Sequence, residues 1–443
     1  MEDSQLSSSS DTLSKIEQQG IKPVPKQLRK ETSLAIFLTF LGIFSHLLMF
    51  VLGADMGKTL GIITTILVLI ISVLLVAPMF ILGGWIGVDH GIPGSVAMRI
   101  VFGIRGSWLP SLMNSIVAMG WFALQTSISA LAFDKIMMYF GMASHYKLWI
   151  LIWGIIYCIN AVIGYGWISL FAKFAVPVLY CMFVFMSVKI GQLYGFKEAL
   201  KNLPCFSAFT FLYSVDAIFG GYAGSGTTLL ADYTRYAKYK SAPFAACFAA
   251  MIAGSVIIFL GAIATFYSKK ADITATMLFL GMGLVAMFVV LFATWTTNPC
   301  NTYSASLSMA NVTGWNRNLC VILLGVLGVG LAVWGILEHF IEFLSLIGII
   351  YAPMNSVLFV EYFLNNDQKI DTEQLFREND SKYWFFKGWN IKAFGAWLVS
   401  VAVILIFKYG IKASWMPVPA LVSCILAGVI YYAVSKVYNK ENL

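Results

Sequence analysis

Apolar residues in this chain fall in long unbroken runs, without the two-residue alternation of a half-buried strand. Twelve runs lie near residues 33–54, 60–83, 109–133, 148–166, 168–190, 207–230, 243–267, 276–299, 318–337, 340–363, 393–410 and 418–437. About 20 apolar residues are needed to cross roughly 30 Å of hydrocarbon, and the runs approach that length. In lipid every backbone polar group must find an internal partner, which only helices and closed barrels provide. Barrel strands would alternate over about ten residues, and these runs do not. The pattern predicts an all-α polytopic membrane protein with 12 transmembrane helices.

Composition agrees. Of 443 residues, 59% are hydrophobic and 11% charged, against about 25% charged in soluble domains. A soluble enzyme, a disordered chain and a nucleic-acid binder are excluded. The net charge of +8 is a topology signal. With both termini on one side, that side carries 18 Lys and Arg and the other carries 10, so both termini are expected in the cytoplasm. The first 30 residues are polar and show no cleavable signal peptide, so the expected location is the inner or plasma membrane, multi-pass. Four segments follow: a cytoplasmic tail 1–32, a ten-helix core 33–363, a solvated cytoplasmic loop 364–391, and two additional helices with a short tail 392–443. The seven cysteines form no CxxC pair and read as small core residues. No GxxxxGK[ST] cradle occurs, so nucleotide hydrolysis is not expected. No HExxH or Ser-His-Asp pattern suggests an enzyme.

Two spans look interrupted. The sixth carries Gly220-Gly221-Tyr222-Ala223-Gly224-Ser225-Gly226 at mid-span, and each glycine disfavours helix by about 1 kcal/mol. The first is weaker around Gly42, with Ser45 and His46 nearby. Non-helical backbone at that depth is tolerated only where it lines a cavity, and paired discontinuous helices mark the midplane site of inverted-repeat transporters.

Several side chains at this depth could carry chemistry. Thr296, Thr297 and the Ala293 carbonyl, opposite unwound carbonyls of span one, would suit sodium; the alternative is back-bonding or helix–helix glue. Trp121 and Gln125 share a helical face at i, i+4. They could stack on a flat heterocycle and read its edge, or simply pack. Asp216, near mid-depth, is a functional candidate by default; it could equally face a water-filled vestibule or cap a neighbouring helix. His46 is a weaker candidate.

These features come with blocks of a recognisable pattern: Phe102-Gly103-Ile104-Arg105-Gly106-Ser107-Trp108-Leu109-Pro110, Gly120-Trp121-Phe122, Ala231-Asp232-Tyr233-Thr234-Arg235, Trp295-Thr296-Thr297-Asn298, Tyr303-Ser304-Ala305 and Ala310-Asn311-Val312-Thr313-Gly314. Together they resemble the nucleobase:cation symporter-1 family, in its cytosine-permease branch, over about residues 30–363. The resemblance implies a LeuT-like fold of two inverted five-helix repeats plus two extra helices. It also implies symport of a flat nucleobase-like ring, a cytosine-like pyrimidine or a purine, with sodium or a proton and no cofactor. Trp121 would be the stacking platform, and Gly221, Tyr222, Ala223 and Ser225 would contact the ring. Ala293, Thr296 and Thr297, with span-one carbonyls near Gly42 and Ser45, would hold sodium, and Asn298 would help shape the site. The family pattern differs at Ala223, Ala293 and Asp216, which leaves open a vitamin-precursor ring, an amine-bearing solute, or proton coupling through Asp216. A passive facilitator is the reading from another class.

Overall fold

A helix survives in lipid when its apolar surface matches the hydrocarbon and its backbone groups are paired internally. The computed structural model describes residues 20–202, 204–270, 272–411 and 415–441, in which the regular elements are helices and the β-pairing is limited to isolated bridges. Nine of the described helices are long and apolar enough to cross a membrane, and the bent pair Ser33–Ile43 and Leu47–Thr59 makes a tenth. The pair Ala208–Ala223 and Ser225–Thr234 and the helix Gly283–Thr313 lie where spans six and eight were expected, but are not among these ten. Spans three (Trp108–Tyr139) and seven (Ala242–Ser268) are the buried centre, at 78% and 72% of their apolar windows. Spans two (Ile62–His90), four (Tyr146–Ile163) and eleven (Ile391–Gly410) are each one-third buried and form the periphery.

Small residues let the central backbones approach closely, the usual basis of helix association in lipid. The second half of span one lies against span seven. There a Cβ added at Gly53 would fall 2.0 Å from the Ile258 carbonyl oxygen, and one at Gly261 would fall 2.2 Å from that of Phe50.

Three expectations are modified. The interruption of span one falls at Phe44, Ser45 and His46; Gly42 is still inside the first half-helix, and the halves meet at 62°. Span eight runs on to Thr313 through Pro299. Hydropathy ends it early because residues 300–313 are polar, yet Asn301, Thr302, Ser304, Ser306, Ser308 and Asn311 are all buried.

The stretch 364–391, expected to be solvated, is instead docked on the segment between spans two and three. The amides of Ile104, Arg105 and Gly106 donate to the carbonyls of Tyr383 and Gly388, and the Asn390 amide donates to Phe102. Leu375 and Tyr383 are buried. Arg99 donates to the Leu375 carbonyl at 2.8 Å and to Asn311 Oδ1 of span eight at 2.6 and 2.9 Å. The charges that made this loop look aqueous therefore sit around an apolar anchor.

Replacing Gly53 by Ala forces the span one–span seven contact apart. The expected cost is about 1–3 kcal/mol of overpacking, read as a lowered midpoint of thermal unfolding in detergent.

Candidate functional site

The breaks in spans one and six face one another. In span six the helix stops at Ala223, Gly224 adopts φ −62°, ψ −106°, and a new helix starts at Ser225. A helix end leaves carbonyls without partners. Here Asn355 of span ten donates its amide to the Ala223 and Gly224 carbonyls at 3.0 and 2.9 Å. Ala223 is therefore buried as an anchoring point of the break. The side chain of Ser225 lies outside the described residues.

The break in span one is answered by span eight. The Gly42 carbonyl lies 3.2 Å from both Thr296 Oγ1 and Thr297 Oγ1. The same hydroxyls reach the Ala293 carbonyl at 3.0 and 2.6 Å. Gly42 is what permits this approach, since a Cβ there would sit 2.9 Å from Val176 and 3.1 Å from Thr296. A hydroxyl has one hydrogen and two lone pairs, so this cluster holds more oxygen lone pairs than protons, the donor set a hard cation prefers. Ser45 contributes differently. Its N–H donates to the Gly42 carbonyl at 3.1 Å, and its hydroxyl donates to Leu41 at 2.6 Å beside the Tyr180 hydroxyl.

Beside the cluster is a cavity of about 30 Å³ lined by Ile43, Phe44, His46 and Met49 of span one, Trp121 of span three, Gly221, Tyr222, Gly226 and Leu229 of span six, and Asn301 of span eight. Aromatic rings dominate. Phe44 stacks on Tyr222 at 5.3 Å and 18°, and His46 lies 5.4 Å from Trp121. Tyr222 lies against span seven because position 254 is glycine; a Cβ there would meet its hydroxyl at 1.7 Å. Gln125, one turn from Trp121, pairs its amide with His46 Nδ1. Its Oε1 is buried without a hydrogen-bond partner.

Of the expected site residues, Ser45, Gln125, Ala223, Asn298 and Asp216 are not in the described lining, and the last two are engaged elsewhere. Asn298 donates to the Phe122 carbonyl and to Thr126 Oγ1 at 2.9 Å, stitching span eight to span three. Asn301, three residues on, lines the cavity, and its amide donates to Asn298 Oδ1. Asp216 caps span twelve (Pro419–Glu441), its two oxygens accepting from the amides of Leu421 at 2.9 Å and Ala420 at 3.1 Å. A carboxylate at a helix N-terminus is stabilised by the exposed amides and the helix dipole. The sequence reading also missed Phe44, Met49 and Leu229, whose only signal was nearness to the two breaks, and Asn355, whose partners Ala223 and Gly224 lie some 130 residues away.

The sequence model of a family described as a permease for cytosine/purines, uracil, thiamine and allantoin matches residues 23–435. The chain is 25% identical over 414 residues to the cytosine permease of Escherichia coli (strain K12), covering 93% of this chain and 92% of that one. It is 26% identical over 366 residues to the hydantoin permease of Microbacterium maritypicum, covering 75% and 73%. Among solved structures, Mhp1, a nucleobase-cation-symport-1 family transporter in a closed conformation with bromovinylhydantoin bound, matches with a TM-score of 0.83 at 21% identity, over 96% of this chain and 97% of that one. A Na+-coupled sialic acid symporter matches at 0.68 and 11% identity, over 95% and 92%. These likenesses establish the LeuT-like fold.

Because Asp216 caps a helix, Asp216→Ala is expected to cost about 1–3 kcal/mol of stability, with Asp216→Asn costing less. Thermal unfolding and ligand binding measured together check this: an Asn variant of normal stability that binds no ligand would sink the capping role.

Proposed function

The chain belongs to the family of permeases for cytosine/purines, uracil, thiamine and allantoin, and on that premise we propose that it imports a neutral, planar nucleobase-like ring in symport with sodium, by alternating access. The observation that carries this reading is the convergence of two broken membrane helices on one aromatic-lined cavity. Flat π faces of Trp121, Phe44 and Tyr222 suit a flat heterocycle, each base–aromatic stack being worth about 1–3 kcal/mol. Gln125 Oε1, buried without a hydrogen-bond partner next to lining residue His46, would accept from a ring N–H, and Asn301 of the lining carries an amide. No carboxylate appears in the described lining, which favours a neutral ring over an amine-bearing solute. Asp216, engaged by span twelve, is a poor proton carrier for this cavity.

Sodium would be held by the oxygens of Gly42, Ala293, Thr296 and Thr297. All four belong to the span one–span eight junction, so a cation there would bind the two spans together and steady the break that supplies Phe44 and His46 to the ring. The cavity is far smaller than the hundreds of Å³ usual for ligand sites. Ring entry therefore requires the lining side chains and half-helices to part, as alternating access demands.

In proteoliposomes, uptake of labelled cytosine, uracil and hydantoin is to be measured with and without a sodium gradient. At least one ring should accumulate above equilibrium only with sodium. Trp121→Ala should weaken its binding about 5- to 100-fold, and Thr297→Val should remove the sodium stimulation. Equilibration without accumulation, in either condition, would identify a passive facilitator instead.

A further inference from the structure

On the membrane face that carries the N-terminal segment lies a second cavity, of about 390 Å³, remote from the aromatic site. It is walled by Lys26 and Arg29 of the N-terminal segment, Val88 and Asp89 at the end of span two, and Ala237, Lys238 and Lys240 in the turn between spans six and seven. Four cations thus surround one carboxylate. Arg29 is fixed in place by the Val24 and Val88 carbonyls at 2.9 and 2.8 Å. Lys240 reaches Asp89 at 3.0 Å while its side chain stays 79% exposed, and Lys26 and Lys238 are exposed. The walls themselves are braced: the Lys238 amide donates to the Glu31 carbonyl and the Val24 amide to that of Gly91. A shaped pocket with three surplus positive charges is a site for an anion.

What borders the pocket selects the anion. On span seven, Phe244 and Phe248 follow Lys240 by four and eight residues, one and two turns deeper, and are 49% and 63% exposed. Leu34 of span one is 67% exposed, and Phe37 lies 6.3 Å from Phe248. Beyond the exposed hydroxyl pair of Ser33 and Ser241, these side chains offer apolar surface that runs from the cations toward the bilayer. Basic pockets at the ends of membrane helices hold lipid head groups on these terms.

We propose that this pocket binds the phosphate of an anionic phospholipid, with its acyl chains along Phe244 and Phe248. The lipid would clamp the N-terminal segment, the end of span two and the second half of broken span six to one another.

The experiment uses the purified full-length chain in neutral detergent. Native mass spectrometry and thermal unfolding are followed while phosphatidylglycerol, phosphatidylcholine or inorganic phosphate is titrated. Phosphatidylglycerol should form adducts and raise the unfolding midpoint at concentrations where phosphatidylcholine does neither. Each cation removed should weaken the effect about fivefold, so K238Q/K240Q should lose about 25-fold. Lys147→Gln, an exposed cation at the other membrane face, should bind normally. Asp89→Asn should bind more tightly, a gain that a merely structural role for these residues does not predict. If K238Q/K240Q fails to fold, Lys26→Gln carries the loss measurement, and Lys240→Arg should preserve binding. Equal effects of the two lipids, or unchanged affinity in the Gln variants, would overturn the proposal. Inorganic phosphate as effective as phosphatidylglycerol would overturn the lipid as the source.

Discussion

A carbonyl released by a broken helix inside a membrane has no water to turn to, and the architecture of this protein follows from that constraint. Two spans break at mid-membrane, and in each the carbonyls at the break are met both by their own span and by side chains from another helix. Thr296 and Thr297 of span eight meet the Gly42 carbonyl of span one. Asn355 of span ten meets the Ala223 and Gly224 carbonyls of span six. An unsatisfied polar group in hydrocarbon costs several kcal/mol, so these contacts decide whether the breaks persist. Once the breaks exist, four half-helix ends point at one place, and a cavity with exposed peptide edges and aromatic walls results.

Polar chemistry in the centre is matched by polar struts at the end carrying the N-terminal segment. Asp232 accepts from the Gly94 amide at 2.9 Å and from Ser304 Oγ at 2.5 Å. Arg235 donates to the Gly20 carbonyl and the Tyr303 hydroxyl. Arg99 joins the docked loop to Asn311. Each charge is buried with several hydrogen-bond partners, the arrangement in which a buried charge is tolerable. These struts tie the tail, the loop 364–391 and span eight together below the cavity.

Much of the site was legible because its chemistry is local. A Gly-rich segment at mid-span, a Trp and a Gln one turn apart and a Thr-Thr pair are all visible in a string of letters, and the structure brings Trp121, Gln125, Tyr222, Thr296 and Thr297 around one region. Asn298 illustrates the limit: a three-residue shift along a helix turns a side chain away from the cavity and brings Asn301 in. Asp216 illustrates another, since its partners, the Ala420 and Leu421 amides, lie some two hundred residues along the chain.

By itself the amino-acid sequence determined the helical nature of the crossings and the neighbourhoods in which two of them break. Those properties depend on runs of apolar residues and on glycine's backbone freedom, which act within a few turns. Only the tertiary structure decided which carbonyls met which hydroxyls, that the charged loop was anchored and not free, and that a mid-membrane carboxylate served as a helix cap. Those outcomes depend on long-range contacts, where hydrogen-bond demand at one helix end is met by whichever distant segment packs against it.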